Sequence, residues 1–227
     1  MPERQILALG GHGMLPGEPL DDLLLELTGA SRPRVLLLPT ASAESESYVV
    51  RFYEAFARRA DALHLSLFGI PPADIRSLVL DQDAIFVGGG NTANMLAVWR
   101  VHGVDRLLRE AWEAGVVLAG VSAGSICWFE AGVTDSFRVE LDGLDCLGLL
   151  PGSNCPHYDG EETRRPAYHR LVAEGFRPGF AADDFVGLRF SGTELAEVVT
   201  SRPDAAAYRV ELVDGAVAEQ RLDARRL

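Results

Sequence analysis

Ser122 sits in GVSAG, residues 120–124, with the apolar run 116–118 before it and a segment of helical character, 122–127, around it. A buried parallel strand that ends in glycine and turns at once into a helix can hold a serine Oγ clear of its own backbone. Gly120 and Gly124 remove side chains that would collide in so tight a turn. The turn also aims amides outward, and the N–H of Ala123, at the positive end of the helix, is suited to stabilise a developing oxyanion. The chemistry implied is attack by an activated hydroxyl. A glycine-rich turn without chemistry is the competing account of the same residues.

Such a hydroxyl needs a base. Of the five histidines, His12 lies in a glycine-rich turn, His64 begins an expected strand, His102 follows a helix and His169 lies in a charged helix. His157 lies downstream of Ser122 in a polar loop, after the apolar run that opens LGLLPGSNCPH, residues 147–157. It is the candidate general base. The carboxylate that would orient its imidazole is open among Asp135, Asp159, Asp183 and Asp184, the last two just ahead of an expected strand at 185–190. An acid downstream of the base gives the order Ser, His, acid, which disfavours an α/β-hydrolase despite the serine turn.

A second glycine loop, GGGNT at residues 88–92, again lies between a strand and a helix. Three glycines there could cradle a phosphate, but the loop lacks GxGxxG. The preferred reading brings a second amide toward Ser122, with Gly88, Gly89 or Gly90 completing an oxyanion hole opposite Ala123. Asn91 is a candidate substrate contact.

These loops can meet only if the strands behind them run side by side. Apolar runs at 6–11, 35–40, 64–68 and 84–87 read as strands, and 19–27, 45–63, 92–100 and 104–114 as helices. The helix at 19–27 has Pro19 and two aspartates in its first turn. This alternation predicts an α/β fold, a mostly parallel sheet flanked by helices on both faces, with sites at the strands' carboxyl ends. Past residue 185, alternating apolar and polar residues predict antiparallel strands that extend or cap the sheet. The length of 227 residues favours one domain, 1–227.

The chain contains no lysine, so all 21 of its basic Lys+Arg residues are arginine. That excludes Schiff-base chemistry, a P-loop lysine and a Ser-Lys hydrolase. Net charge of −12 argues against a nucleic-acid partner. No apolar run reaches the roughly 20 residues of a membrane span, and the N-terminal residues read as a first strand rather than a signal, so a cytoplasmic protein without a membrane partner is expected. Cys127, Cys146 and Cys155 have neither paired nor metal-ligand spacing.

Taken together, GGGNT at 88–92, GVSAGS at 120–125 and CPHYD at 155–159 resemble peptidase E, the α-aspartyl dipeptidase family, with its cyanophycinase relatives. The resemblance covers roughly residues 35–190. It implies a fold similar to class I glutamine amidotransferases, with serine in place of cysteine, and removal of N-terminal aspartate from small peptides without metal or cofactor. Ser122 falls on the family nucleophile, His157 on its base, and Ala123 with Gly89 or Gly90 on the oxyanion hole. The family's third member is a glutamate ahead of a late strand, for which Asp184 is the best match. Arg164, Arg165 and Arg170 are candidates to pair with the substrate's β-carboxylate, Arg164 aligning best, and Tyr158 to line the pocket. A small peptide with an acidic N-terminal residue is the expected partner, and a homodimer the candidate assembly. The alternatives are a relative acting on another peptide or a β-aspartyl isopeptide, and a non-catalytic binding module of the same fold.

Overall fold

The first strand already carries the architecture in its alternation. In β1 (Gln5–Leu9), Ile6 and Ala8 point to one side and Leu7 and Leu9 to the other, and all four are buried. A strand buried on both faces needs cover on both. The computed structural model describes residues 3–227 and supplies that cover. On one face α1 (Pro19–Leu27) and α2 (Glu46–Phe56) pack Leu20, Leu24, Phe52 and Phe56 onto Leu7, Leu37 and Phe86. On the other, α3 (Ile75–Leu80), α4 (Thr92–His102) and α5 (Val104–Ala114) pack Val79, Trp99 and Leu108 onto Ile6, Leu36 and Leu118. Truncating Phe52 or Phe56 to alanine costs ~3–5 kcal/mol at such fully buried positions.

The parallel strands are β2 (Arg34–Leu38), β3 (Asp61–His64), β4 (Ala84–Val87) and β5 (Val117–Val121), in the order β3-β2-β4-β5-β1. Leu9 pairs with Val121, and Val87 with both Gly120 and Leu38, so their carboxyl ends are level. Beyond β1 lie three later strands. A short helix, α6 (Ala123–Ile126), follows β5, and α7 (Arg164–Ala173) comes later in the chain. The strands between and after them are β6 (Phe129–Thr134), β7 (Asp142–Asp145), β8 (Leu150–Cys155), β9 (Gly179–Ala182), β10 (Val186–Ser191), β11 (Glu194–Thr200), β12 (Ala207–Val213), β13 (Ala216–Leu222) and β14 (Arg225–Arg226). Antiparallel β10, then β11 and β14, complete the first sheet.

The fold is therefore the expected α/β class, with two corrections. The helix expected over 45–63 ends at Phe56, and residues 61–64 form edge strand β3 instead of the strand expected at 64–68. Asp61 N–H donates to Pro33 O at 2.9 Å and the segment DALH pairs with β2. An exposed edge strand carries no apolar alternation, so periodicity had nothing to register. The second correction is a second sheet, β13-β12-β9-β8-β6-β7. Thus β12 and β13 neither extend nor cap the first sheet, and the run that ends at His157 belongs to the second. The two sheets share a core in which Phe129 and Phe180 meet Phe190 at ring-centroid distances of 5.6 and 5.7 Å.

Candidate active site

Three successive carbonyls at the end of β1 gather the loops that carry the candidate residues. Leu9 O accepts the Ser122 N–H at 3.3 Å, Gly10 O the His157 N–H at 2.9 Å, and Gly11 O the Phe185 N–H at 3.0 Å. Ser122 comes from the end of β5, His157 from the loop after β8, and Asp184 from the crossing between β9 and β10. Because β10 is antiparallel to β1, its amino end lies where the parallel strands have their carboxyl ends, with Leu9 opposite Gly187. Glycine is required at this junction. A Cβ on Gly10 would press on Ala182 O at 2.7 Å, and one on Gly11 would overlap Asp184 Oδ1 and come within 2.6 Å of His157 Nδ1.

His157 Nδ1 and Asp184 Oδ1 are 2.7 Å apart, with side chains only 21% and 14% exposed. The hydrogen bond from His157 holds the Asp184 carboxyl below the usual carboxylate range, against burial, with further help from His157, His12 and Arg202 as charges. An ionised carboxylate can only accept, so the proton lies on Nδ1 and Nε2 is left as the basic nitrogen. His12 stacks on Phe185, centroids 4.1 Å apart, and sets its Nε2 3.6 Å from Asp184 Oδ2.

The other three acids do different work. Asp159 accepts the Asp184 N–H at 2.8 Å and pairs with Arg202, so it fixes the backbone of Asp184. Asp183 is buried, accepts the Ala206 N–H at 2.9 Å, and is pushed up to about 6 by that burial, with the amide opposing and Asp159 adding to it. Asp135 is exposed beyond the end of β6.

Ser122 adopts φ 57°, ψ −114°, strained for a residue with a Cβ. His12, Met14, His157 and Phe185 also have positive φ, so strained backbone collects around this one junction. Gly120 and Gly124 pack against each other, a Cβ on Gly120 lying 2.5 Å from the Gly124 carbonyl carbon. The Ser122 hydroxyl has no hydrogen-bond partner among the described residues, and it is only half-buried. Serine–imidazole bonds commonly tighten only when substrate arrives. The Ala123 N–H opens α6.

In the glycine loop the Gly88 N–H goes to Leu38 O at 3.1 Å and the Gly90 N–H has no hydrogen-bond partner among the described residues. Gly89 lies beside the serine, for a Cβ there would be 3.2 Å from Ser122 Cβ. Its N–H, however, is taken by the Tyr48 hydroxyl at 2.6 Å. Gly88 makes room for the Tyr48 ring, and Gly90, at φ 137°, leaves space for Ala41 O. Asn91 is the N-cap of α4, its Oδ1 accepting from Asn94 N at 2.9 Å while its Nδ2 donates to Ser136 O at 2.9 Å, so both ends are occupied.

The residues expected to contact substrate also have other partners. Tyr158, in the turn after β8, is buried and donates to Glu219 of β13 at 2.6 Å. Arg164 is buried and bonds Glu161 and Val133 O at 2.7 and 3.0 Å. Arg165 pairs with Glu219, and Arg170 with Glu174 and Leu141 O, both at 3.0 Å. Sequence reasoning missed Gly10, Gly11, His12 and Tyr48. The signal available was a glycine pair directly after an apolar strand, the same punctuation that marks the other two loops. Among the described residues no group of three or more His, Cys, Asp or Glu is arranged to hold a metal ion, and no helix is long and apolar enough to cross a membrane.

The chain has relatives. The chain is 50% identical to "Uncharacterized peptidase YgaJ" of Bacillus subtilis over 95% of its own length and 96% of that protein. It is 28% identical to a Peptidase E of Streptomyces coelicolor, over 85% and 83% of the two chains. A solved peptidase from an acI-B1 actinobacterium superposes with a TM-score of 0.73 at 19% identity, covering 98% of this chain and 95% of that one. A putative Peptidase E of Listeria monocytogenes does so at 0.63, covering 97% and 100%. The two solved structures speak to the fold alone. The sequence model described as "Peptidase family S51" matches residues 6–198, a span that contains Ser122, His157, Asp184 and the glycines at the end of β1. The chain is thus a peptidase and belongs to peptidase family S51.

Proposed function

We propose that this peptidase is a serine exopeptidase that removes N-terminal aspartate from small peptides. The observation that carries the reading is the convergence of strained Ser122 and the His157–Asp184 pair on three neighbouring carbonyls of β1. In the proposed reaction Ser122 Oγ gives its proton to His157 Nε2 and attacks the scissile carbonyl. Asp184 stabilises the imidazolium, and the Ala123 N–H faces the oxyanion. The proton passes to the leaving amine as the C–N bond breaks. Water, deprotonated by His157, then hydrolyses the acyl-enzyme.

Support for aspartate as substrate comes from the names of relatives, which include several called Peptidase E and a probable alpha-aspartyl dipeptidase of Drosophila melanogaster, 28% identical over 75% of this chain. With Arg164, Arg165 and Arg170 bound to protein acceptors, the cation best suited to the substrate carboxylate is Arg51. It stacks over the Tyr48 ring at 5.3 Å and has no ion-pair partner among the described residues. The test is a panel of Asp-Xaa, Glu-Xaa, Ala-Xaa and β-aspartyl dipeptides with wild type and Ser122→Ala. Cleavage of Asp-Xaa that disappears in the variant supports the proposal; turnover that survives the substitution rejects it.

A further inference from the structure

The glycine loop beside Ser122 is filled. Tyr48, in the first turn of α2, lays its ring over Gly88, so that a Cβ there would be 2.7 Å from Tyr48 Cε1. Its oxygen takes the Gly89 N–H at 2.6 Å. A single point beside the Gly89 Cα lies 3.2 Å from Ser122 Cβ and 3.6 Å from the Tyr48 oxygen. Of the three amides expected to face the oxyanion, the Gly88 N–H goes to Leu38 O at 3.1 Å and the Gly89 N–H to this phenol, so beside the serine the phenol stands together with the Gly90 N–H, which has no hydrogen-bond partner among the described residues.

A phenol both accepts and donates. Here the oxygen accepts from Gly89, and its own proton has no acceptor among the described residues. We propose that Tyr48 is a catalytic residue, its hydroxyl donating to the oxyanion formed at Ser122, with Gly89 acting through it rather than directly. Resting on the serine reading above, this adds to the backbone amides an oxyanion donor from a side chain on α2. The Gly89 N–H polarises the phenol and strengthens it as a donor. Burial raises its pKa, opposed by the Gly89 hydrogen bond and Arg51, so the proton stays in place at neutral pH. No bond to Tyr48 forms or breaks: the proton is shared with the oxyanion in the tetrahedral intermediate and returns as the carbonyl reforms.

The alternative is that Tyr48 only occupies the Gly89 amide and gives way to substrate. The two accounts predict opposite results for Tyr48→Phe. With an aspartyl p-nitroanilide as substrate, the proposal predicts that kcat falls about 100-fold, the effect of losing one oxyanion donor, while KM stays within about twofold. An aspartyl boronate, which forms a tetrahedral adduct on serine, should lose affinity in parallel. Tyr53→Phe is the control, because its hydroxyl on the same helix bonds His64 at 2.8 Å. It should leave kcat unchanged.

A Tyr48→Phe enzyme with wild-type or higher kcat overturns the proposal and leaves the role to the amides of the glycine loop. So does a defect confined to KM or to thermal stability. If Tyr48→Phe does not fold, difluorotyrosine at position 48 replaces it. The enzyme should then gain an alkaline limb in kcat at the fluorophenol's own pKa, and an unchanged pH profile overturns the role. Loss of turnover in Ser122→Ala with full kcat in Tyr48→Phe rejects the tyrosine alone. Turnover that survives Ser122→Ala rejects the serine reading, and the tyrosine's role with it.

Discussion

Two polar clusters in this chain use much the same side chains to opposite ends. In the second sheet, Glu219 accepts from Tyr158 at 2.6 Å, His169 at 2.9 Å and Arg165 at 3.1 Å. Burial alone would raise its carboxyl, but the bonds from Arg165, Tyr158 and His169 hold it at about 2. At the end of β1, Asp184 has its histidine as well, yet the backbone is strained at Ser122 and His157 and the serine hydroxyl stands without a partner. A satisfied network stabilises, whereas strain beside an unspent hydroxyl is affordable only where chemistry requires it. This difference separates the two clusters better than residue type, since Tyr158 and Arg165, expected at the substrate, are both bound to Glu219.

The largest effect that would break the comparison is on turnover. Ser122→Ala should lower kcat for Asp-Xaa hydrolysis by about 10⁴–10⁶-fold, and Asp184→Asn by about 10⁴-fold through the wrong imidazole tautomer, with circular dichroism unchanged. Glu219→Gln should leave kcat within about twofold and instead cost about 1–3 kcal/mol in urea unfolding. A smaller change sharpens the substrate side. Arg51→Gln should raise KM for Asp-Xaa about 10- to 100-fold relative to Ala-Xaa, the loss of a charged hydrogen bond, and steady-state kinetics on the two substrates checks it.

The smallest predicted effects are on stability and distinguish neighbouring residues. Asp183, raised by burial to about 6, keeps its proton in the native state while the unfolded chain loses it near pH 4. Stability therefore falls as pH rises from about 4 to 6 and stays lower above. Asp183→Asn keeps an acceptor for Ala206 N and removes the buried charge. It should match wild type near pH 4 and gain about 1–2 kcal/mol above pH 6, measured as thermal midpoints across that range. Asp184 has the opposite sign: its stabilisation is present above the unfolded carboxylate value near 4 and is lost as pH falls through its lowered one. Ser122→Gly should relieve the strained φ and stabilise by about 1 kcal/mol while abolishing turnover.

The legible parts of the fold were those with two-sided burial. The helices at 19–27 and 104–114 and the strand at 84–87 were read with their observed bounds because apolar spacing, Pro19 and flanking glycines all agreed. The second sheet was not legible, since β7 is four residues with two aspartates and a glycine, β8 contains Pro151 and Gly152, and which sheet a strand joins is decided by long-range pairing. In the site, Ser122 and His157 could be nominated from local pattern. The selection of Asp184 over Asp183 depends on which carboxylate faces the imidazole, a matter of register. Tyr48 lies within the helix expected over 45–63, and nothing local to it signals the glycine loop about 40 residues further along the chain that its hydroxyl meets.

The central claim is that Ser122, activated by His157, forms a covalent intermediate. Its most direct measurement is incubation of the full chain with an aspartyl diphenyl phosphonate, followed by intact mass and peptide mapping. The account predicts one adduct per chain, on Ser122, with labelling strongly slowed in His157→Ala. A chain that cleaves Asp-Xaa yet takes no label, or takes it on another residue, contradicts it.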